Sequence, residues 1–248
     1  MTLSTPKFSK LPLTERLRAR LHGIRMRIAS KPEEIKKLHS GYWGRVAPSH
    51  YYDRVAYRFD QWFKGPHAGF VNAAATLART REFDRLIEIG CGDGQVLDAL
   101  REKMPGIDSF VGLDLNPQII ERNKAMYNDQ ESMTFIHGNL SEIVPLCAAR
   151  NTMFFAYGGV LEYFPEAELL RIYKDLALKG CAIAFSEPVD PDHDMETTQT
   201  SYAFGSENTF SHNHRHLLET AGWTIRAHEQ TEFSNIRWQS FIALAPEG

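Results

Sequence analysis

The sequence predicts an α/β protein: a seven-stranded, mostly parallel, doubly wound sheet with a C-terminal antiparallel hairpin strand, preceded by an N-terminal helical lid. Three observations carry this. From Arg85 onward, short apolar runs alternate with helix-period segments, the pattern of βαβ units around a parallel sheet. The run Leu86-Ile87-Glu88-Ile89-Gly90-Cys91-Gly92-Asp93-Gly94-Gln95-Val96-Leu97 is a strand that turns through three alternate glycines into an apolar-periodic helix. Before it, the chain carries helical and aromatic patterns, so residues 1–80 read as an extension and 81–248 as the domain proper.

Met1 to Pro12 reads as a loose leader. Leu13, Leu17, Leu21, Ile24 and Ile28 then recur at spacings of four, four, three and four, a helical stripe whose other faces carry Arg16, Arg18, Arg20, Arg25 and Arg27. The stripe is expected to pack on the domain, or on another subunit of a homo-oligomer, with the arginines solvated. The functional alternative is a basic amphipathic helix lying on an anionic membrane surface; a transit peptide ranks last. Pro32 can open a second helix with Glu33 and Glu34 in its first turn. Tyr52, Val55, Phe59 and Phe63 share a helical face, and Phe70–Arg79 leads into the first strand.

In the domain, strand one is Leu86–Ile89, and its helix is stopped by Pro105-Gly106. Strand two is Ser109–Leu115. Asn116 is a good N-cap and Pro117 a good first residue for a helix to Tyr127. Strand three is Met133–Ile136, strand four Thr152–Tyr157 and strand five Ala182–Phe185, with a helix from Pro165 before the last. Residues 189–210 form a long polar loop, a length usually kept for function. Ser211 can cap a helix over His212–Ala221, ended by Gly222, and Trp223–Gln230 and Trp238–Ala245 are the final strands.

Composition narrows the function. Hydrophobic residues make up 43% of 248, enough for a sizeable core. Net charge is −3, no signal for nucleic acid. No apolar run reaches the roughly 18 residues of a membrane span, and no secretory pattern opens the chain. Cys91, Cys147 and Cys181 are odd in number and far apart, which suits reduced thiols of a cytoplasmic protein. Charge is uneven: Lys7 to Arg45 holds eleven Lys or Arg against three acids, about +8, leaving about −11 for the remainder. Such an arm suits a partner of its own, and peripheral contact with a membrane is one candidate.

Glycine permits tight turns and close approach to a ligand, and the helix that follows presents unpaired N–H groups. A dinucleotide fingerprint would read G-x-G-x-x-G. Here the third glycine comes one residue early, at Gly94, and position 95 is Gln. No P-loop pattern is present. Glu88 before G-x-G-x-G, with a second strand ending at Asp114, resembles the first motifs of class I S-adenosylmethionine (SAM) dependent methyltransferases. The resemblance extends from about Asp84 to Pro246. It implies SAM as cofactor, held by Glu88, Gly90, Cys91, Gly92 and Gly94, with Asp114 on the ribose hydroxyls and Leu115 beside it. In the family, an acidic G-D-hydrophobic triplet holds the adenine; here the matching positions are Asn139 and Leu140, and an amide can still bond the adenine edge. Tyr157, closing strand four, is counted with them. The segment Gly158–Phe164 resembles the fourth-motif loop of the small-molecule branch, and the terminal strand pair resembles the hairpin that marks the class.

Methyl transfer needs chiefly proximity and alignment, and an oxygen acceptor gains from a base. His212, placed at a helix start beside the long loop, is the first candidate base, Glu187 the second and Glu162, with Tyr163, the third. His212 and His216 would share a helical face, with His214 pointing away. That pair has metal-ligand spacing, and Asp190, Asp192, His193 and Asp194 form an oxygen-rich cluster, but no metal is expected. By the family's habit of an N-terminal lid, Tyr42, Trp43, Tyr51 or Tyr52, with Tyr163 and His216, would face the acceptor. The absence of an N/D-P-P-Y/F motif and of a basic face argues against nucleic acid or peptide. A hydroxyl of a sugar or hydroxylated metabolite is the expected acceptor. A small amine and a non-catalytic SAM-binding scaffold are the alternatives.

Overall fold

The computed structural model describes residues 12–46, 48–147, 149–233 and 235–246; all but Pro12 of the leader lies outside them. The seven sheet strands are β1 (Arg85–Ile89), β2 (Ser109–Asp114), β3 (Met133–His137), β4 (Thr152–Tyr157), β5 (Ala182–Val189), β8 (Thr224–Phe233) and β9 (Ile236–Leu244), in the order β3-β2-β1-β4-β5-β9-β8. The first five pair in parallel, and β9 runs antiparallel between β5 and β8. A short separate hairpin joins β6 (Tyr202–Phe204) to β7 (Thr209–Ser211).

Side chains alternate across the pleat, so each strand feeds two cores. Ile87, Ile89, Val111, Leu113, Phe154 and Ala156 face one way. They pack under α7 (Leu140–Cys147), α8 (Glu166–Leu178) and α9 (His214–Thr220). Leu86, Phe110, Met153 and Phe155 face the other way. They pack under α4 (Ala68–Thr80), α5 (Gln95–Lys103) and α6 (Pro117–Met126). Helix α4 buries Phe70, Val71, Ala74 and Ala75 in that second core. The break at residue 80 is thus an element end, and α4 is part of the sheet's cover rather than of a lid.

The cap proper is α1 (Leu13–Ile28), α2 (Pro32–Trp43), α3 (Pro48–Val55) and a π-helical turn at Phe59–Phe63. The single face expected through Tyr52, Val55, Phe59 and Phe63 is therefore split between two elements. The apolar stripe of α1 does not pack on the domain: Leu13, Leu17, Leu21, Ile24 and Ile28 are all exposed, and Met26 is the helix's one buried residue.

Other differences lie at element boundaries. Helix α7 lies where no helix is read from the sequence, because Pro145 within its run looks like a breaker. Strand β5 runs to Val189, so Glu187 lies inside it rather than just beyond. The loop at 189–210 contains the β6–β7 hairpin. Helix α9 starts at His214, not His212, and its cap is Asn213, whose side chain accepts from the His216 N–H. Ser211 ends β7 instead.

Candidate active site

The chain leaves β1 toward β2 and β3 and returns to place β4 on β1's other side. That reversal opens a crevice beyond the strands' carboxyl ends, where open α/β sheets bind ligands. A cavity of about 230 Å³ fills it, roofed by α2 and α3.

Its floor is the glycine turn. Gly90, Gly92 and Gly94 have φ of 69°, 50° and 80°, a region L side chains seldom adopt. A Cβ at Gly92 would stand 2.7 Å from the Tyr52 ring, so the cap's descent onto the turn also needs glycine there. Asn123, on α6, fixes the turn by donating to the Gly92 carbonyl at 2.7 Å. The Cys91 thiol is buried, and burial holds it protonated, so it serves as a small liner.

Two buried acids aim at this space. Asp114 accepts the Gly92 N–H at 3.1 Å and the Asn116 N–H at 2.8 Å. Burial still pushes its pKa up to about 6. Glu88 is buried, and its Oε2 has no hydrogen-bond partner among the described residues. Burial, with Asp93 and Asp114 nearby, raises its pKa strongly. A buried oxygen without a partner costs free energy unless a ligand donates to it. Leu115, Gly138, Asn139, Leu140 and Tyr157 complete this half of the wall. Asn139 Oδ1 caps α7 by accepting from the Ser141 N–H and hydroxyl. The Tyr157 hydroxyl meets His67 Nδ1 at 2.7 Å.

The other half is built by the cap. Lys36, His39, Ser40 and Trp43 recur at helical spacing on α2, so one face of it lines the cavity. Tyr51, Tyr52, Val55 and Ala56 come from α3 and its end, followed by Arg58, Phe59 and Trp62. Trp43 meets Tyr51 edge-on at 4.8 Å, and His39 lies 4.7 Å from Tyr163. Arg58 lies over Trp62 at 4.5 Å and donates to the Tyr51 hydroxyl, while its buried Nε has no partner among the described residues. Desolvation lowers the His39 pKa to about 4, so this imidazole is neutral at pH 7. His39, Lys36 and Arg58 are the residues that sequence reasoning missed. The α2 spacing could have found the first two, but a Lys-His-Ser-Trp face does not look like a buried stripe.

The structure separates the three expected bases from the cavity. His212 is buried behind it, with Nδ1 2.7 Å from Ser201 Oγ, and desolvation lowers its pKa to about 3. It precedes α9 rather than opening it, so it shares no helical face with His216, which is half-buried and also off the cavity. His214, expected to point away, is the buried member on the helix and pairs with Tyr173. Glu187 is fully buried, and its carboxylate accepts the N–H groups of Val160 and Leu161 at 2.9 Å and of Glu162 at 3.4 Å. It caps the short 3-10 turn Leu161–Tyr163 that presents Tyr163. Glu162 packs against Gly159 on the side away from the cavity, and burial raises its pKa to about 8. Of the expected acceptor contacts, Trp43 and Tyr163 line the cavity, whereas Tyr42 stacks outside it on His22 at 4.4 Å. Among the described residues, no three His, Cys, Asp or Glu converge as metal ligands. The Asp190–Asp194 segment instead folds on itself, Asp190 Oδ1 capping Asp192 and Asp194 holding Thr197.

Residues 86–178 match the family model described as a methyltransferase domain. Magnesium protoporphyrin IX methyltransferase from Synechocystis PCC 6803, in a structure with bound SAM, aligns at 13% identity. That match covers 88% of this chain and 99% of that one, with a TM-score of 0.56. A SAM-dependent methyltransferase from Leishmania major aligns at 10% identity over 91% and 90%, with a TM-score of 0.63. One from Clostridium acetobutylicum ATCC 824 aligns at 9% identity over 79% and 99%, with a TM-score of 0.56. At such identities the likeness is one of fold. No curated protein matches the chain in sequence.

Residues 86–178 thus match a methyltransferase domain, and the chain shares its fold, a Rossmann-like sheet with an antiparallel terminal pair, with SAM-dependent methyltransferases. The residues lining this crevice would fit SAM: a glycine turn with no room for side chains, the Asp114 carboxylate, and a buried Glu88 oxygen without a partner among the described residues.

Proposed function

We propose that the chain methylates a small molecule held between the glycine turn and the aromatic cap, with a hydroxyl as acceptor. The observation that carries this is the cap half of the cavity: a concave, mostly apolar pocket walled by Trp43, Tyr51, Tyr163 and Trp62, with His39 and Arg58 among its lining residues. A concave, mostly apolar pocket with few polar groups suits a metabolite better than a polymer. SAM, when bound, supplies a methyl already activated on a sulfonium. The protein's task is then to align the acceptor and relieve it of a proton. His39 is placed for the second part. Its Nε2 faces the Asn208 carbonyl at 3.5 Å, and its ring lies on the cavity wall. Its low pKa keeps it neutral at pH 7, ready to take a proton that the acceptor loses as the C–O bond forms. Arg58 Nε is the group left to anchor an acceptor oxygen.

The aromatic walls favour a second acceptor, a small amine, because ring faces attract cations. Turnover of SAM to S-adenosylhomocysteine, screened over sugars, hydroxylated metabolites and small amines, separates the two. Hydroxyl acceptors alone are expected to react. Reaction of amines alone would overturn the hydroxyl reading. His39→Ala is expected to lower turnover about 100-fold with SAM affinity unchanged. Full activity in that variant would remove His39 from the chemistry.

A further inference from the structure

Helix α1 presents an anomaly that the active site does not absorb. Five of its large apolar residues face solvent, with Leu13 69% and Ile28 77% exposed. With about 100° between successive residues, Leu13, Ile24, Leu17, Ile28 and Leu21 fall within an arc of about 80°. Arg16, Arg20 and Arg27 border that arc on one side, and Arg18 and Arg25 on the other. The opposite side of the helix is the one held by the body. Met26 is buried there with Ala29, Ile35 and Phe210. His22 stacks on Tyr42. Asn208 donates to the Met26 and Ala29 carbonyls at 3.0 and 3.2 Å. The stripe is thus fixed facing directly outward.

We propose that α1 docks the protein on an anionic lipid surface, with the stripe buried at the boundary of headgroups and acyl chains. Charge selects this occupant. The helix carries five arginines against one acid, Glu15, which pairs with Arg18. Arginines bordering an apolar arc can lay their stems along it and reach outward to phosphates, which is how interfacial helices combine area with electrostatic attraction. A second α1 lying against the first would set arginine borders against arginine borders. No described helix is long and apolar enough to cross a membrane, so the contact is a peripheral one. The body side of α1 also reaches His39 of the cavity wall, with the His22 ring 5.6 Å away, so a docked protein holds its cap at the membrane.

The test is flotation of the full chain with vesicles of phosphatidylcholine alone, or of equal parts phosphatidylcholine and phosphatidylglycerol. Affinity for the anionic vesicles is expected to be at least roughly tenfold higher and to fall with added salt. Leu17→Glu with Ile24→Glu is expected to abolish it. Arg16, Arg20 and Arg27 changed together to Gln should remove the preference for anionic lipid. These positions are exposed and remote from the glycine turn, so SAM binding, measured by calorimetry, verifies that each variant is folded. Failure of the folded wild-type chain to bind anionic vesicles would overturn the proposal, as would equal binding to both compositions. So would a lipid-free dimer, seen by light scattering, that the Leu17/Ile24 variant disperses, since a second copy would then cover the stripe.

Discussion

Asp114 shows how one carboxylate can tie cofactor affinity to pH. Its oxygens are already spent on two backbone N–H groups, yet burial holds its pKa near 6, above the ordinary 3.8. An acid raised in this way adds to the stability of the free protein most fully below 3.8. That contribution is lost as pH rises through about 6. With Asp114 in the ribose-binding role that the resemblance implies, cofactor binding is expected to run the other way, because ribose hydroxyls donate best to the ionised acid. SAM affinity should therefore weaken by about tenfold between pH 7 and pH 5. Asp114→Ala should lose at least tenfold at pH 7, about 1.4 kcal/mol, and should lose the pH dependence as well. Calorimetry at the two pH values reads both effects, and an unchanged slope in the variant would pass the titration to another group. Glu88, Gly90, Gly92 and Asp114 were legible in the sequence because a strand end and a tight turn fix their neighbours locally. His39 and Arg58 were not, because their burial depends on a cap folding back across about fifty residues of chain.

Elements explain why the expected bases are not where spacing put them. Glu187 was read just past β5, facing an open crevice; three further residues of pairing with Gln239, Trp238 and Arg237 keep it inside the strand. There its carboxylate serves as the anchor of the turn that carries Tyr163. Glu187→Gln keeps the volume but points an amide toward N–H groups that need an acceptor. It should cost about 1–3 kcal/mol of stability, read as a fall of several degrees in Tm. It should also raise the acceptor KM through the displaced Tyr163, with SAM affinity little changed. A variant with wild-type Tm would show that the turn holds without it. The histidine cluster has the same explanation. Asn213, with its side chain free to accept from the third N–H of the helix, is the better cap, so α9 begins two residues after the predicted start and His212 falls in the buried link between β7 and α9. Strand alternation and the Asn116-Pro117 helix start are local signals and read correctly. The end of β5 depends on its pairing with β9, far along the chain.

Cap and sheet are joined through specific contacts. Asn116 is the joint. Its Oδ1 caps α6, accepting from Gln118 and Ile119, while its amide donates to the carbonyls of Trp43 at 3.0 Å and Val46 at 2.7 Å in the cap. It lies two residues from Asp114, whose carboxylate accepts its N–H. The Tyr52 ring rests on Gly92 from above. A ligand on Asp114 and the glycine turn therefore touches the same residues that fasten the cap. At a concentration of 100 Kd, S-adenosylhomocysteine adds about 2.7 kcal/mol to whatever unit must open to release it. If opening of the cap is that event, hydrogen exchange of α2 and α3 should slow about 100-fold, together with the turn after β1. Asn116→Ala removes both the helix cap and the joint. It should uncouple the two, leaving protection around residues 90–95 while α2 and α3 exchange as in the free protein. Protection confined to the sheet in the wild-type chain would mean that the cap opens independently of the cofactor. Entry of the acceptor would then not wait on SAM, and binding would be random rather than ordered. Protection of both in the wild type and of the turn alone in the variant would make the Asn116 amide the link through which cofactor binding closes the acceptor wall.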